Sequence, residues 1–395
     1  MGRPFRRARA WACLVVAALA AASCGVRTSG PARVVASRVQ FAEGWTELPL
    51  PPEIRDGAAA VWADGELIVW GGCDPDRPGD CYPTLDGFTF DPSTRTWHPI
   101  PPAPAGGIDP EVVWTGEEAL FFYAEGWKLK GVAYDPETES WRTLPNAPLQ
   151  PRFGAVYVWT GSEAIVWGGG RPQDHLAARG AAYAPESDAW RPMAEGPVGL
   201  NHASGTWTGS ELVVFGSLLD SRNRARTRTS VGAAYDPQTD TWREIPPSKL
   251  SPQATSAVWT DGRMVAWDYE VYSQTYDPTG DSWTEPQRMP IRFSECYPDS
   301  AVVDGRVFAF FCGQAALYDP LTDGWQEVHG GMLSEEVGGQ PGQGAYKLWR
   351  FADMVSAEDV LFLLAEGVTV NHQGMACYGC QGSPHSFWAY RPERA

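Results

Sequence analysis

Short β-prone runs of apolar residues alternate with turn-forming residues along almost the whole chain. Two of these runs flank Ala63-Asp-Gly65 and two others flank Thr160-Gly-Ser162. Glycine supplies the positive φ that a tight turn requires, so each of these segments predicts a β-hairpin. With 42 glycines and 34 prolines in 395 residues, long helices are disfavoured. The pattern therefore predicts an all-β protein built from many short strands.

A second phrase, close to Tyr-Asp-Pro-x-Thr-x-x-Trp, recurs at intervals of 41 to 52 residues and accounts for part of the unusual total of 19 tryptophans. Its copies end at Trp97, Trp141, Trp190, Trp242, Trp283 and Trp325. The Asp oxygen can accept hydrogen bonds from backbone N–H groups ahead of it, and Pro presets φ for the turn. The Trp is large enough to fill the gap between neighbouring sheets. Each repeat therefore predicts two hairpins, with strands a to d in chain order.

The two ends of the repeat region complement each other. Gly44-Trp45-Thr46-Glu47-Leu48-Pro49 matches the strand d phrase with no hairpin before it, and Trp388–Pro392 matches the end of strand c with no strand d after it. We expect the N-terminal strand to complete the last sheet, which closes the ring and removes free edges. Seven strand d tryptophans predict seven four-stranded sheets, and six remain open if the divergent stretch 330–392 forms none.

With its Gly71-Gly72 and Gly168-Gly169 doublets and its spaced aromatic residues, the repeat over residues 41–392 resembles the kelch repeat. The resemblance implies a kelch-type β-propeller of the galactose oxidase-like superfamily, with ligand contacts in the connections between strands d and a and between b and c. The sialidase Asp-box also ends in Trp, but its Ser-x-Asp-x-Gly order is absent. Kelch copper oxidases need a Cys linked to a Tyr and two His ligands, which six scattered histidines do not suggest. We expect no cofactor.

The first 40 residues predict a location outside the cytoplasm. A basic stretch, an apolar stretch from Trp11 to Ala22 and small residues are typical of a secretory signal over residues 1–23. The segment ending at Cys24 resembles a bacterial lipobox, although Ala21 stands where that motif prefers Leu. We expect a bacterial lipoprotein anchored to the cell membrane through Cys24, with a tether over 24–40; plain secretion and an uncleaved anchor are the alternatives.

Charge and the missing catalytic motifs bound the function. The formal net charge of −17 opposes nucleic-acid binding. No Gly-x-Ser-x-Gly, Walker loop or His-Glu-x-x-His is present. We therefore expect a module that binds a protein or carbohydrate on its loops rather than an enzyme. The alternative is an enzyme on an anionic sugar, similar to the periplasmic kelch mutarotase that acts on sialic acid.

The cysteines after Cys24 fall into three close pairs. These are Cys73 with Cys81, Cys296 with Cys312, and Cys377 with Cys380. An even count outside the cytoplasm predicts disulfides, within each pair or across neighbouring sheets. For the last pair, a zinc site of His372, Cys377, Cys380 and His385 is a weaker alternative.

Four arginines precede predicted innermost strands, namely Arg55, Arg152, Arg292 and Arg350. Converging guanidinium groups would form a site for a carboxylate or sulfate. His202 and Glu270 are candidate neighbours on the same face. The alternative is that these arginines pair with local acids.

Overall fold

A computed structural model describes most of the chain from Phe41 onward. The described residues are 41–53, 55–73, 82–152, 154–169, 178–197, 199–217, 230–251, 256–268, 270–291, 299–311, 314–331, 333, 346–370 and 385–393. They belong to one compact unit, Val39–Ala395. Among them there is no helix with the length and apolarity needed to cross a membrane.

Seven antiparallel sheets, here called blades, make up the fold. Blade 1 contains β2 (Asp56–Ala63), β3 (Glu66–Cys73), β4 (Gly87–Asp91) and β5 (Thr96–Ile100). Blade 2 contains β6 (Glu111–Trp114), β7 (Ala119–Glu125), β8 (Lys128–Asp135) and β9 (Ser140–Thr143). Blade 3 contains β10 (Ala155–Trp159), β11 (Ala164–Gly168), β12 (Gly180–Ala184) and β13 (Ala189–Pro192). In each blade the strands lie side by side in chain order, as strands a to d.

The remaining blades follow the same plan. Blade 4 contains β14 (Asn201–Trp207), β15 (Leu212–Ser217), β16 (Val231–Asp236) and β17 (Thr241–Ile245). Blade 5 contains β18 (Ser256–Thr260), β19 (Arg263–Trp267), β20 (Tyr272–Asp277) and an outer strand split into β21 (Ser282–Trp283) and β22 (Gln287–Arg288). Blade 6 contains β23 (Asp299–Val303), β24 (Arg306–Phe311), β25 (Gln314–Asp319) and β26 (Gly324–Val328).

Blade 7 joins the two ends of the chain. It contains β27 (Tyr346–Ala357), β28 (Val360–Val370), β29 (His385–Arg391) and β1 (Gly44–Leu48) as its outer strand. The register pairs Gly44 with Arg391 and Leu48 with Phe387. Each strand a contacts the strand a of both neighbouring blades, and β27 contacts β2, so the ring closes. The predictions of a β-propeller, seven blades and closure by the N-terminal strand are confirmed.

The strand d tryptophans join the blades as the repeat predicts. In six of the seven, the indole N–H donates to the backbone carbonyl four residues after the strand d tryptophan of the preceding blade. Trp141, for example, donates to the Pro101 carbonyl at 2.7 Å and packs against Trp70 of blade 1. The exception is Trp325, which donates to the Ser273 hydroxyl at 2.8 Å. Ser273 belongs to strand c of blade 5, the blade whose outer strand is split. Its hydroxyl donates in turn to the carbonyl of Gln287, the first residue of β22.

The Asp-Pro turns also have the predicted geometry. Asp135 Oδ1 accepts from the Glu137 N–H at 2.8 Å, and Asp236 Oδ1 accepts from the Gln238 N–H at 2.8 Å. Blade 3 has Ala184 at this position and forms a short 3₁₀ turn over Pro185–Ser187 without a side-chain cap. The capped turns depend on the Asp side chain, as the sequence motif indicates.

Candidate functional site

Antiparallel blades give the ring two different faces. Because strands a and c run in one direction and b and d in the other, the a–b and c–d connections lie together on one face, here called the turn face. The d–a and b–c connections lie on the opposite face, here called the loop face. The repeated turn motifs lie mostly on the turn face. The connections of the loop face do not share these motifs.

On the turn face, arginines connect successive blades. Arg191, directly after the blade 3 tryptophan, pairs with Glu163 Oε2 at 2.6 Å and donates to the Tyr235 hydroxyl of blade 4 at 3.2 Å. That hydroxyl in turn donates to Asp240 at 2.6 Å. The same arrangement surrounds two further arginines, Arg142 and Arg243. The polar side chains of these turns are therefore engaged in joining blades 2 to 5.

The loop face carries most of the exposed large apolar side chains of the described residues. Five of six lie there, namely Leu50 (38% exposed), Tyr82 (54%), Leu85 (47%), Trp127 (79%) and Tyr272 (37%). The sixth, Leu321 (84%), lies in a c–d turn on the turn face. Exposed large apolar side chains on one face are typical of a binding surface.

Trp127 stands at the tip of the b–c hairpin of blade 2. The hairpin register runs from Ala119 paired with Tyr134 to Glu125 paired with Lys128, which leaves Gly126 and Trp127 as a two-residue turn. Gly126 has φ +59°, as the first position of such a turn requires. The backbone on both sides is hydrogen-bonded in β7 and β8. The indole is therefore held out to solvent by regular structure.

A cavity of about 560 Å³ lies at the inner end of the same face. Its lining includes four acids and one base (Glu53, Asp56, Asp109, Glu111 and Arg55) and apolar side chains such as Phe88, Val112 and Leu364. Asp56 and Glu111 are the first residues of two neighbouring innermost strands. The ring geometry thus brings together acids from separate connections.

The connection 101–110 links this cavity to the exposed apolar residues. Its Ala103 N–H donates to the Leu85 carbonyl at 2.7 Å, and its Asp109 N–H donates to the Gly57 carbonyl at 3.0 Å. Gly107 lies so close to the Tyr123 ring that an added Cβ would stand 2.8 Å from it. The glycine therefore lets the connection pack against the root of the Trp127 hairpin. Contacts of this connection therefore link the edge of the cavity to the loop of Leu85 and to the root of the Trp127 hairpin.

Among the described residues, no base forms an ion pair with Asp56, Asp109 or Glu111 of the cavity. Burial and the charge of Asp56 raise the pKa of Asp109, and burial and the charge of Asp109 raise the pKa of Glu111. Asp299, the first residue of β23, also lies on the loop face, where its side chain is exposed to solvent but is partly desolvated by neighbouring protein. That desolvation, together with the charge of Glu111, raises its pKa to about 7 although the Ser300 N–H bond lowers it. The electrostatic field here favours a bound cation.

The structure describes the side chains of two of the four predicted arginines, Arg55 and Arg152. Arg55 is 5% exposed and donates to the Thr84 hydroxyl and to Asp86 Oδ2 at 2.6 Å, and its ion pairs are with Asp86 and Glu53. Arg152 donates to the Gly168 and Arg179 carbonyls. Both side chains fasten a d–a connection to other parts of the blade. Arg55 in particular follows the alternative of pairing with local acids.

Of the other residues predicted for the anion site, the structure describes the side chain of Glu270 only. Glu270 is exposed beside β20. His202 lies on β14 and Arg350 on β27, but their side chains are outside the described part, and Arg292 is wholly outside it. The anion site therefore stays a prediction.

The cysteine predictions are likewise untested. Cys73 is buried at the end of β3, whereas Cys24, Cys81, Cys296, Cys312, Cys377 and Cys380 lie outside the described residues. His372 also lies outside them, as does the side chain of His385. Disulfides and the zinc alternative both remain predictions. In the part of the chain that the structure covers, no group of three or more His, Cys, Asp or Glu has metal-binding geometry.

Comparison with known proteins gives one partial likeness. An F-box/kelch-repeat protein of Arabidopsis thaliana is 30% identical over 132 residues, which is 24% of this chain and 27% of the plant protein. No family model matches the chain. The chain thus matches only about a quarter of the length of its relative. The likeness and the seven-bladed ring together support a kelch-type propeller.

Proposed function

We propose that this protein is an extracytoplasmic, lipid-anchored binding module that captures a protein or glycan with its loop face. The observation that carries the proposal is that exposed Tyr82, Leu85 and Trp127 lie on the same face of the ring as a cavity of about 560 Å³. Rigid scaffolds with exposed aromatic side chains suit recognition, since little conformational entropy is lost on binding. A protein partner is the expectation closest to the kelch-repeat likeness.

An enzyme acting on an anionic sugar receives less support. Such a site needs free guanidinium groups to hold the substrate carboxylate. The described cavity instead has one arginine, Arg55, which is already paired with Glu53 and Asp86. Asp56, Asp109 and Glu111 would repel an anion. The cavity charge therefore favours binding of a neutral or cationic group.

Affinity capture with matched variants tests the proposal. The chain from residue 25 is immobilised, exposed to extracytoplasmic extract and in parallel to a glycan array, and compared with Trp127→Ala and Leu321→Ala. Both residues are strongly exposed, at 79% and 84%, but they lie on opposite faces. We expect Trp127→Ala to weaken capture at least tenfold, as aromatic hot-spot truncations do, and Leu321→Ala to leave it unchanged. Equal capture by all three proteins would contradict the proposal.

Anchoring to the membrane through Cys24 is tested separately. Cys24→Ala is expected to move the protein from the membrane fraction to the soluble fraction, because lipid at that cysteine would be its anchor. Labelled palmitate incorporation should disappear in the same variant. Incorporation that persists in Cys24→Ala would rule out lipidation at this residue.

A further inference from the structure

We propose that the loop face recognises a partner protein through a lysine or arginine side chain, which enters the cavity between Asp56, Asp109 and Glu111 while neighbouring apolar residues of the partner pack on Leu85 and Trp127. This inference rests on the proposed binding function and specifies the chemistry of the partner.

The shape of the surface provides the first argument. The cavity of about 560 Å³ lies within the range typical of small-ligand sites, so a long side chain can enter it with room for backbone on either side. Part of its wall is apolar, with Phe88, Val112 and Leu364. A lysine or arginine matches such a wall, because its methylene stem packs on apolar atoms while its head group meets the carboxylates.

The charge balance provides the second argument. No base among the described residues pairs with Asp56, Asp109 or Glu111 within 4.0 Å, whereas Arg55 is shared by Glu53 and Asp86. Burial, and to a smaller extent the charge of the neighbouring acid, raises the pKa of Asp109 and of Glu111. A cation from a partner would offset the negative charge of the three acids, which favours the bound state over the free protein.

The connection 101–110 joins the two parts of the surface. It reaches the cavity at Asp109 and Pro110, and its Gly107 packs against the ring of Tyr123, at the root of the hairpin that carries Trp127. A partner segment that fills the cavity can therefore place apolar residues along this hairpin.

A matched pair of probes tests the charge requirement. N-acetyl-leucyl-arginyl-tryptophan amide and its citrulline analogue differ only in the charge of the central side chain. Binding of each to the chain from residue 25 is measured by ligand-observed NMR. We expect the arginine peptide to bind at least about tenfold more tightly, the smallest effect usual for a close charge pair. Equal binding of the two peptides, or binding of neither at millimolar concentration, would overturn the inference.

Two double variants locate the effect. Asp109→Asn with Glu111→Gln should abolish the preference for arginine over citrulline. Glu117→Gln with Glu137→Gln makes the same change of net charge on exposed turn-face residues and should preserve the preference. Preference lost equally in both double variants would mean that only overall charge matters, which contradicts the inference. If the cavity double variant fails to fold, Glu111→Gln alone serves, with Glu117→Gln as its control.

Partner capture separates the two proposals. If Trp127→Ala loses the captured partner while the cavity double variant keeps it, the binding function stands and the cationic side chain is wrong. If the arginine peptide binds in the cavity but Trp127→Ala captures as well as the parent, the cavity takes a free organic cation and the docking surface is wrong.

Discussion

The two faces of the ring use the same kinds of side chain in opposite ways. On the turn face, Asp236 caps its own turn and Arg191 joins two blades through Glu163 and Tyr235. On the loop face, Asp109 and Glu111 have no basic partner among the described residues, and Trp127 is 79% exposed. Polar and aromatic groups that are satisfied internally stabilise a fold, whereas those left unsatisfied are available to a ligand. Under the proposed function, the turn face stabilises the ring and the loop face binds the partner.

Removing the strand that closes the ring should have the largest effect on stability. Deletion of residues 41–49 removes β1, the indole bond from Trp45 to the His329 carbonyl at 2.9 Å, and the packing of Trp45 on Phe308. Blade 7 would then have an unpaired edge. We expect loss of the cooperative thermal transition in differential scanning calorimetry. An unchanged melting temperature would show that β1 contributes nothing to closure.

The two tryptophans of blade 2 should separate stability from binding. Trp141 packs on Trp70 and Phe121, so Trp141→Ala should lower the free energy of unfolding by roughly 3–5 kcal/mol. Trp127→Ala should change it by less than about 0.5 kcal/mol, since the indole is exposed. Urea denaturation measures both. Similar losses in the two variants would contradict the division between the faces.

The arginines between blades should have a smaller effect. Arg191 and Glu163 are 35% and 19% exposed, so solvent screens their pair in part, and Arg191→Ala should cost about 1 kcal/mol. Arg179→Ala removes a looser pair with Glu195 at 3.4 Å, both side chains being more than half exposed, and should cost less than about 0.5 kcal/mol. Urea denaturation again decides, and a larger loss for Arg179→Ala would mean that the contacts between blades add nothing.

The pH dependence of stability should have opposite sign on the two faces. The pKa of Asp299 is raised from 3.8 to about 7, so the folded protein holds a proton that the unfolded chain has lost, and this stabilisation fades as pH rises from about 4 to 7. Asp299→Asn should therefore raise the melting temperature at pH 8 and lose that advantage near pH 4.

Asp236 on the turn face is the matched carboxylate. Hydrogen bonds from the Gln238 N–H and the Thr239 hydroxyl lower its pKa, so its contribution is present above the unfolded pKa and lost in acid. Asp236→Asn should lower the melting temperature at pH 8, with the difference vanishing at low pH. The same sign of change in both variants would refute the electrostatic contrast.

The sequence predicted the fold well because its signals are local. Each Tyr-Asp-Pro turn carries its own cap, and Trp45 repeats the strand d phrase at the start of the chain. The arginine bridges had a signal that was overlooked, since Trp is followed by Arg at Trp141, Trp190 and Trp242. Thr-Gly-x-Glu turns supply the matching acids.

The cavity was harder to foresee for a physical reason. Asp56, Asp109 and Glu111 belong to different connections and share no motif, so only the closed ring brings them together. The arginines predicted to converge share a position before strand a, but Arg55 and Arg152 are engaged by neighbouring groups. The sequence pattern predicted where these arginines lie along the chain, but it could not predict which groups they bind.

Hydrogen exchange with mass spectrometry on the captured complex tests the division between the faces most directly. Backbone amides in 101–111 and in the hairpin 123–130 should exchange more slowly when the partner is bound. Amides in the turns 92–96, 137–141 and 319–324 should exchange at the same rate in the free and bound protein. Protection confined to those turns, with none in the hairpin or the connection 101–111, would contradict recognition by the loop face.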